Sequence, residues 1–396
     1  MMQIVPTLKK LLRVKWIWRW PKLAQILMFD VGRNQVMDEE LGNLLHPLVV
    51  EGMPLLIISL NVPVFLVSLL NGVSRTAYFD CYIAAVQPRL IITYIDNSVL
   101  FYSYSVRNPQ VKTLFIQNGI RGYGLDVFEI LYRKPTGVIY QVDYMMTFGK
   151  LVGDEYARYI SGKVVPIGSF INNLVPVRRQ KVKGTLAFIS QYRDTSGFYM
   201  GGVFYSFEKY WEQSDRLVIP FLLEYAKAHG KTFYIVPCTG GLNDPALQEK
   251  EKSYYNRIAG CECSYSDWQW HGSSYDMIDA TEVVVAIDSS MGLESMARGT
   301  KAAIFSIRAT NFPLINASYH NYGWPGNYPD DGPFWTNRTD HTAFGRILDH
   351  LFAVGDEEWR AELQLERFSD VMQYDPGNSI LRGILESELG IVTDRR

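Results

Sequence analysis

Short apolar runs rich in β-branched residues recur along the chain with helical stretches between them, and this alternation constrains the fold more than any other feature. Strands buried on both faces read as continuous apolar runs, and parallel neighbours need a crossover between them, so the pattern predicts open parallel α/β sheets. Strands are expected at 90–95, 113–116, 185–189, 232–236, 283–287 and 302–306. Helices are expected at 214–229, stopped by Gly230, at 291–298, closed by Gly299, and at 343–352. The strands form two groups, and 396 residues suit two domains. The expected division is an N-terminal Rossmann-like domain over 1–165, a linker over 166–183 rich in Pro, Gly, Asn and cations, a C-terminal Rossmann-like domain over 184–345, and helices over 346–396 that could cross back onto the first domain. The two domains are expected to face a cleft. The stretch 308–340, full of Asn, Pro, Gly and aromatics, has the length of a lid or binding loop.

Charge excludes one class of partner. Lys and Arg number 39 against 41 Asp and Glu, a formal net charge of −2, so the basic footprint of a nucleic-acid binder is missing. Cys81, Cys238, Cys261 and Cys263 contain no CxxC pair, which argues against a zinc site and for a reducing compartment. Residues 1–22 lack the apolar stretch and cleavage site of a secretory signal, so a cytoplasmic protein is expected. Within them Lys9, Lys10, Arg13, Lys15, Arg19 and Lys22 interleave with Trp16, Trp18 and Trp20, a combination that suits peripheral contact with an anionic membrane through residues 9–22. A solvated basic face with its aromatics packed on the domain would read the same way. The apolar run 54–70 is divided by Asn61 and Pro63 and is expected to be buried core.

Candidate chemistry clusters at the carboxyl ends of the expected strands, where open α/β sheets bind ligands. The strand 283–287 runs into Ser289, Ser290 and Gly292 at a helix start, so backbone N–H groups, hydroxyls and the helix dipole could hold a phosphate, with Glu294 one turn on to accept from a sugar hydroxyl. Ordinary serine capping would explain the same residues. Gln191, Arg193 and Asp194 follow the strand 185–189, and Arg193 could grip a phosphate or carboxylate in two-point fashion unless it merely pairs with Asp194. In the first half, Asp96 and Asn97 end one strand and Gln117, Asn118, Gly119 and Arg121 follow the next, facing one crevice or serving as turn formers. His271, between Trp270 and Gly272, is a candidate general acid or an ordinary structural histidine. The motifs GxSxG, GxxxxGK[ST], HExxH and GxGxxG are absent, which removes the usual support for hydrolase, kinase and zinc-protease readings.

Asp96-Asn97, Gln117-Asn118-Gly119-Ile120-Arg121, GSFINN (168–173), SQYRD (190–194) and SSMGLESMARG (289–299) together resemble bacterial surface-polysaccharide glycosyltransferases, most of all the retaining β-Kdo transferases of capsule and lipopolysaccharide assembly. The resemblance spans about residues 85–310. It implies a GT-B type α/β enzyme with the acceptor side in the first domain and the nucleotide-sugar side in the second, with no cofactor beyond a nucleotide-sugar co-substrate such as CMP-Kdo. By the same resemblance Ser289 and Ser290 hold the donor phosphate near Glu294, Arg193 meets that phosphate or the Kdo carboxylate, and Asp96 or Asp194 supplies the carboxylate nucleophile. The His-Pro pair of sialyltransferase-like sites is missing, because Gly272 follows His271. The acceptor implied is a lipid-linked or oligosaccharide chain at the inner face of the cytoplasmic membrane. Two other readings suit the same plan: a glycerophosphate or sugar-phosphate transferase of teichoic-acid type, and a non-catalytic glycan-assembly scaffold.

Overall fold

The computed structural model describes residues 17–29, 55–57, 61–72, 74–123, 126–177, 180–200, 203–238, 244–265, 274–311, 321–326, 328–387 and 390. Lys9, Lys10, Arg13, Lys15, Trp16 and His271 lie outside them. The first sheet contains β1 (Ile26–Met28), β2 (Leu55–Ile57), β3 (Leu90–Thr93), β4 (Lys112–Ile116), β5 (Gln141–Thr147) and β6 (Ser161–Pro166). Their order is β2-β1-β3-β4-β5-β6, and every neighbouring pair is parallel. Successive side chains of a strand point to opposite faces, so Leu27, Ile91, Phe115 and Met145 join one core while Ile26, Met28, Leu90, Ile92, Leu114, Ile116 and Met146 join another.

That second core is closed by the end of the chain. Leu381, Ile384 and Leu385 of the helix Ser379–Ser387 pack into it beside Phe170. Polar bonds hold the return: Asn173 Nδ2 donates to Asn378 Oδ1 at 2.9 Å, Asn378 Nδ2 donates to the Phe170 carbonyl at 3.0 Å, and Asp375 N donates to Asn173 Oδ1 at 3.1 Å. Gly168, with φ +77°, lies where a Cβ would stand 2.1 Å from the Gln373 carbonyl, so only glycine admits the crossing strand there.

The second domain is built on β7 (Val182–Ile189), β10 (Thr232–Val236), β11 (Thr281–Ala286), β12 (Lys301–Phe305) and β13 (Trp335–Thr336), in the order β10-β7-β11-β12-β13, again parallel throughout. A short hairpin of β8 (Gly197–Met200) and β9 (Val203–Ser206) stands apart from it. The chain leaves β7 for β10 on one side and comes back to β11 on the other, so the order reverses at β7 and opens a crevice at its carboxyl end. The molecule therefore has two parallel-sheet α/β domains on the GT-B plan, and the six expected strands all exist with ends shifted by up to three residues. Among the described residues no single helix is long and apolar enough to cross a membrane.

The segment 166–183, expected as the linker between the domains, is itself largely folded: Pro166 ends β6, a helix runs Phe170–Leu174, and Asn172 and Asn173 are buried. The run 54–70 is not all buried core, because the helix Val62–Leu70 buries only Val64 and Ser68 and turns its leucines outward.

Candidate active site

The crevice-facing ends of β3 and β4 come together, but around a salt bridge. Asp96 is 0% exposed. Arg121 grips it at both oxygens, Nε to Oδ2 at 2.7 Å and Nη2 to Oδ1 at 2.5 Å. Tyr156 Oη donates to Oδ2 at 2.6 Å and the Asn118 backbone N–H donates to Oδ1 at 3.2 Å. Burial alone would lower the pKa of Arg121, yet the Asp96 carboxylate holds it raised, and burial beside that carboxylate also raises Tyr156. With four donors and no exposed surface, Asp96 stands in this structure as the anchor of the Arg121 loop and not as an open carboxylate. Gln117 is likewise turned inward, accepting from Phe148 N at 2.7 Å and donating to the Gly119 carbonyl at 2.8 Å. Asn118 bonds Arg121, Gly119 packs against that guanidinium, and Asn97 is exposed. These bonds set the shape of the loop that presents Ile120 to the second domain.

Across the boundary, β11 ends in Asp288, Ser289 and Ser290. Ser289 caps the helix Ser290–Ala297, its Oγ accepting from Met291 N at 3.3 Å. Gly292 lies where a Cβ would meet Ala286 Cβ at 2.5 Å, so its lack of a side chain lets this helix pack against the sheet. Glu294, expected to meet a sugar hydroxyl, is buried instead. Tyr275 Oη donates to its Oε2 at 2.7 Å, Ser169 and Ser290 also bond it, and burial pushes its pKa up. It ties the turn helix to the segment that follows β6.

Sequence reasoning missed the residue that joins the strand ends. Arg308, buried just beyond β12, donates from Nε to Asp288 Oδ2 at 3.0 Å, from Nη1 to the Trp211 carbonyl at 2.7 Å and from Nη2 to Gln191 Oε1 at 3.2 Å. Its guanidinium lies 3.9 Å from the Trp211 ring centroid. One cation thereby fixes the loops after β7 and β11, and its position two residues past an expected strand was the available signal. Asp288 Oδ1 is buried with no hydrogen-bond partner among the described residues. Arg193 and Asp194 are exposed, and Asp194 pairs with Lys250 at 2.8 Å, which lowers its pKa. The structure does not bring these two to the turn.

A cavity of about 40 Å³ lies between the domains, with Ile120 on one wall and Asp288, Ser289, Ser306, Tyr322 and Trp324 on the others. Trp324 reaches across to the first domain, 5.4 Å from the ring of Tyr123 and 5.6 Å from that of Phe128. Within 308–340, residues 321–324 thus form a strap packed over the crevice, while Trp335 and Thr336 belong to the second sheet as β13. Ligand pockets hold roughly 300–1,000 Å³, so with this contact closed the cavity is too small for a nucleotide-sized molecule. Among the described residues no three His, Cys, Asp or Glu side chains are grouped to hold a metal ion.

No curated protein matches the chain in sequence. Among solved structures, the sucrose-phosphate synthase of Thermosynechococcus elongatus aligns with TM-score 0.47 and 12% identity over 93% of this chain and 99% of its own. The wall teichoic acid polymerase TagF aligns with TM-score 0.47 and 10% identity over 92% and 89%, and S. aureus MnaA in its structure with UDP with TM-score 0.46 and 12% identity over 94% and 99%. These likenesses are too distant to carry the argument further. A family model described as "putative O-antigen biosynthesis protein" matches residues 114–389, which takes in the Arg121 loop, the crevice, the strap and the returning C-terminal helices. With well over half of its length inside that match, the chain belongs to this O-antigen biosynthesis family.

Proposed function

We propose that the protein transfers a sugar from a nucleotide donor to a growing bacterial surface glycan, with the donor phosphates at the Ser289–Ser290 turn. The observation that supports this reading is the placement of that turn: a strand end, the Ser289 hydroxyl and a helix N-terminus lie on a face of the inter-domain cavity whose Asp288 is held by Arg308. Asp288 Oδ1, buried and without a partner among the described residues, is suited to accept from a hydroxyl of the sugar or ribose. With Asp96 committed to Arg121, Asp194 is the expected carboxylate left accessible for chemistry, and it would have to swing from Lys250 to serve. The likeness of the 289–299 segment to CMP-sugar enzymes makes CMP-Kdo, used with retention, the first donor to test. The acceptor is a lipid-linked or oligosaccharide chain, met at the inner face of the cytoplasmic membrane with help from the cations of residues 9–22.

Release of nucleotide from CMP-Kdo, CDP-glycerol and UDP-sugars, each with and without acceptor, tests the reading. Turnover of a nucleotide sugar, with donor KM raised about tenfold or more when Ser289 and Ser290 are both changed to Ala, is the expected result. Unchanged donor kinetics in that variant would remove the turn from the site. Turnover of CDP-glycerol alone would establish the glycerophosphate reading, and release from none of the donors the scaffold reading.

A further inference from the structure

We propose that the first domain carries a docking face for an anionic lipid bilayer, made by the helix Val62–Leu70 and the segment 17–23. This deepens the membrane contact suggested by the cations of residues 9–22, naming the folded surface that makes it, and does not depend on which donor the cleft accepts.

The helix is built inside out. It has nine residues and no charge, and its single hydroxyl, on Ser68, is buried and donates to the Phe65 carbonyl at 2.7 Å. Phe65, Leu66, Val67, Leu69 and Leu70 are exposed instead, Leu70 to 86%. A helix packed on a domain in water turns its polar side outward, and while one exposed leucine is ordinary, five exposed apolar side chains among the nine of one short helix are not.

A second element is locked to the start of this helix. Ile17 pairs with Asn61 in a parallel bridge, Val62 N donates to the Ile17 carbonyl at 2.8 Å, and Asn61 Nδ2 donates to the Arg19 carbonyl at 2.7 Å. Asn61 also caps the helix, its Oδ1 accepting from Val64 N at 3.1 Å. The segment so held exposes Trp18 and Trp20, at 76% and 51%, together with Arg19, Lys22 and Leu23. Indole rings settle at headgroup depth, cations meet lipid phosphates, and leucines enter the acyl boundary, so the three chemistries of an interfacial site lie side by side.

Charge selects a bilayer over a second copy of the chain. No Asp or Glu occurs from Ile17 to Phe29 or from Asn61 to Phe79, whereas Arg19, Lys22 and Arg75 do. A two-fold dimer would press these cations on one another, while an anionic surface neutralises them. Val62–Leu70 alone is far short of the roughly 20 residues needed to span the hydrocarbon, and the chain bends by 117° between it and the helix Arg75–Val86, so the proposal lays it in the interface.

The test is co-sedimentation of the full chain with vesicles of phosphatidylethanolamine and phosphatidylglycerol, against phosphatidylcholine alone, across a salt series. The parent should bind the anionic vesicles, and Leu66→Ser with Leu70→Ser should weaken that binding about tenfold or more. Arg19→Gln with Lys22→Gln should weaken it at low salt and less at high salt. Both variants alter exposed side chains and should melt with the parent. Failure of the parent to bind anionic vesicles, or equal binding by the leucine variant, overturns the proposal. So does a leucine variant that binds as before but melts lower or loses self-association, since protein then covers the face. Nucleotide release onto a soluble oligosaccharide acceptor separates the two readings: a Ser289/Ser290 variant that loses turnover and keeps vesicle binding bears on the donor site alone.

Discussion

Replacing Asp96 with Asn decides whether that carboxylate is machinery or anchor. The change keeps the size of the side chain and removes the charge that answers Arg121, whose own side chain is only 11% exposed. Breaking a buried ion pair by deleting one partner costs about 3–5 kcal/mol, because the remaining charge is left without compensation. At roughly 2–4 °C per kcal/mol for a domain of this size, the unfolding midpoint of the first domain should fall by roughly 6–20 °C. Thermal unfolding followed by circular dichroism measures it directly. A second variant guards the interpretation: Asp96→Leu with Arg121→Met removes both charges and should recover much of the loss, since apolar pairs of similar volume often replace buried ion pairs at little cost. Recovery should be incomplete, because Tyr156 Oη and Asn118 N lose their acceptor. If Asp96→Asn melts within about 0.5 kcal/mol of the parent while turnover collapses, the anchor assignment is wrong and Asp96 returns to the chemistry.

Further tests probe the domain boundary. Glu294 has a folded pKa raised above the ordinary glutamate value by burial, so below the ordinary value both states are protonated and it contributes nothing, while above the raised value the folded state bears the full penalty. Glu294→Gln should therefore match the parent in melting temperature at acid pH and exceed it at neutral pH; a deficit at neutral pH would mean that the charge itself is required, as a ligand or for its bonds to Tyr275 and Ser169. Trp324→Ala removes two aromatic contacts worth about 0.5–1.5 kcal/mol each. It should lower the barrier to opening and shift donor KM without unfolding either domain, and small-angle scattering identical to that of the parent, with identical kinetics, would refute the strap role.

Much of the scaffold was legible because its signal is local. The runs that became β4, β7, β10, β11 and β12 are continuous and apolar, and Gly230 and Gly299 mark the ends of helices that the structure places at Glu212–Ala228 and Ser290–Ala297. β1, β2, β5 and β6 escaped notice, since three-residue strands carry no period and β5 mixes Gln141 and Asp143 into its run. The turn at Ser289 was legible for the same reason as the strands: strand, cap and helix are contiguous.

The roles of the charged residues were not legible, and the reason is distance along the chain. Asp96 finds Arg121 25 residues away and Tyr156 60 residues away, and Arg308 reaches Gln191 across 117. A strand-end carboxylate looks the same in sequence whether it faces a substrate or a guanidinium, because the difference lies in which loop packs against it. Burial shows the difference: Asp96 and Glu294 are enclosed, and the leucines of Val62–Leu70 point to solvent. Sequence by itself determined the alternation of strands and crossovers, the two-sheet plan and the position of the strand–cap–helix turn at Ser289, all properties of neighbouring residues and backbone geometry. Only the tertiary structure decided which charges are consumed by pairing and which surfaces are left over, since pairing and exposure are properties of the packed whole.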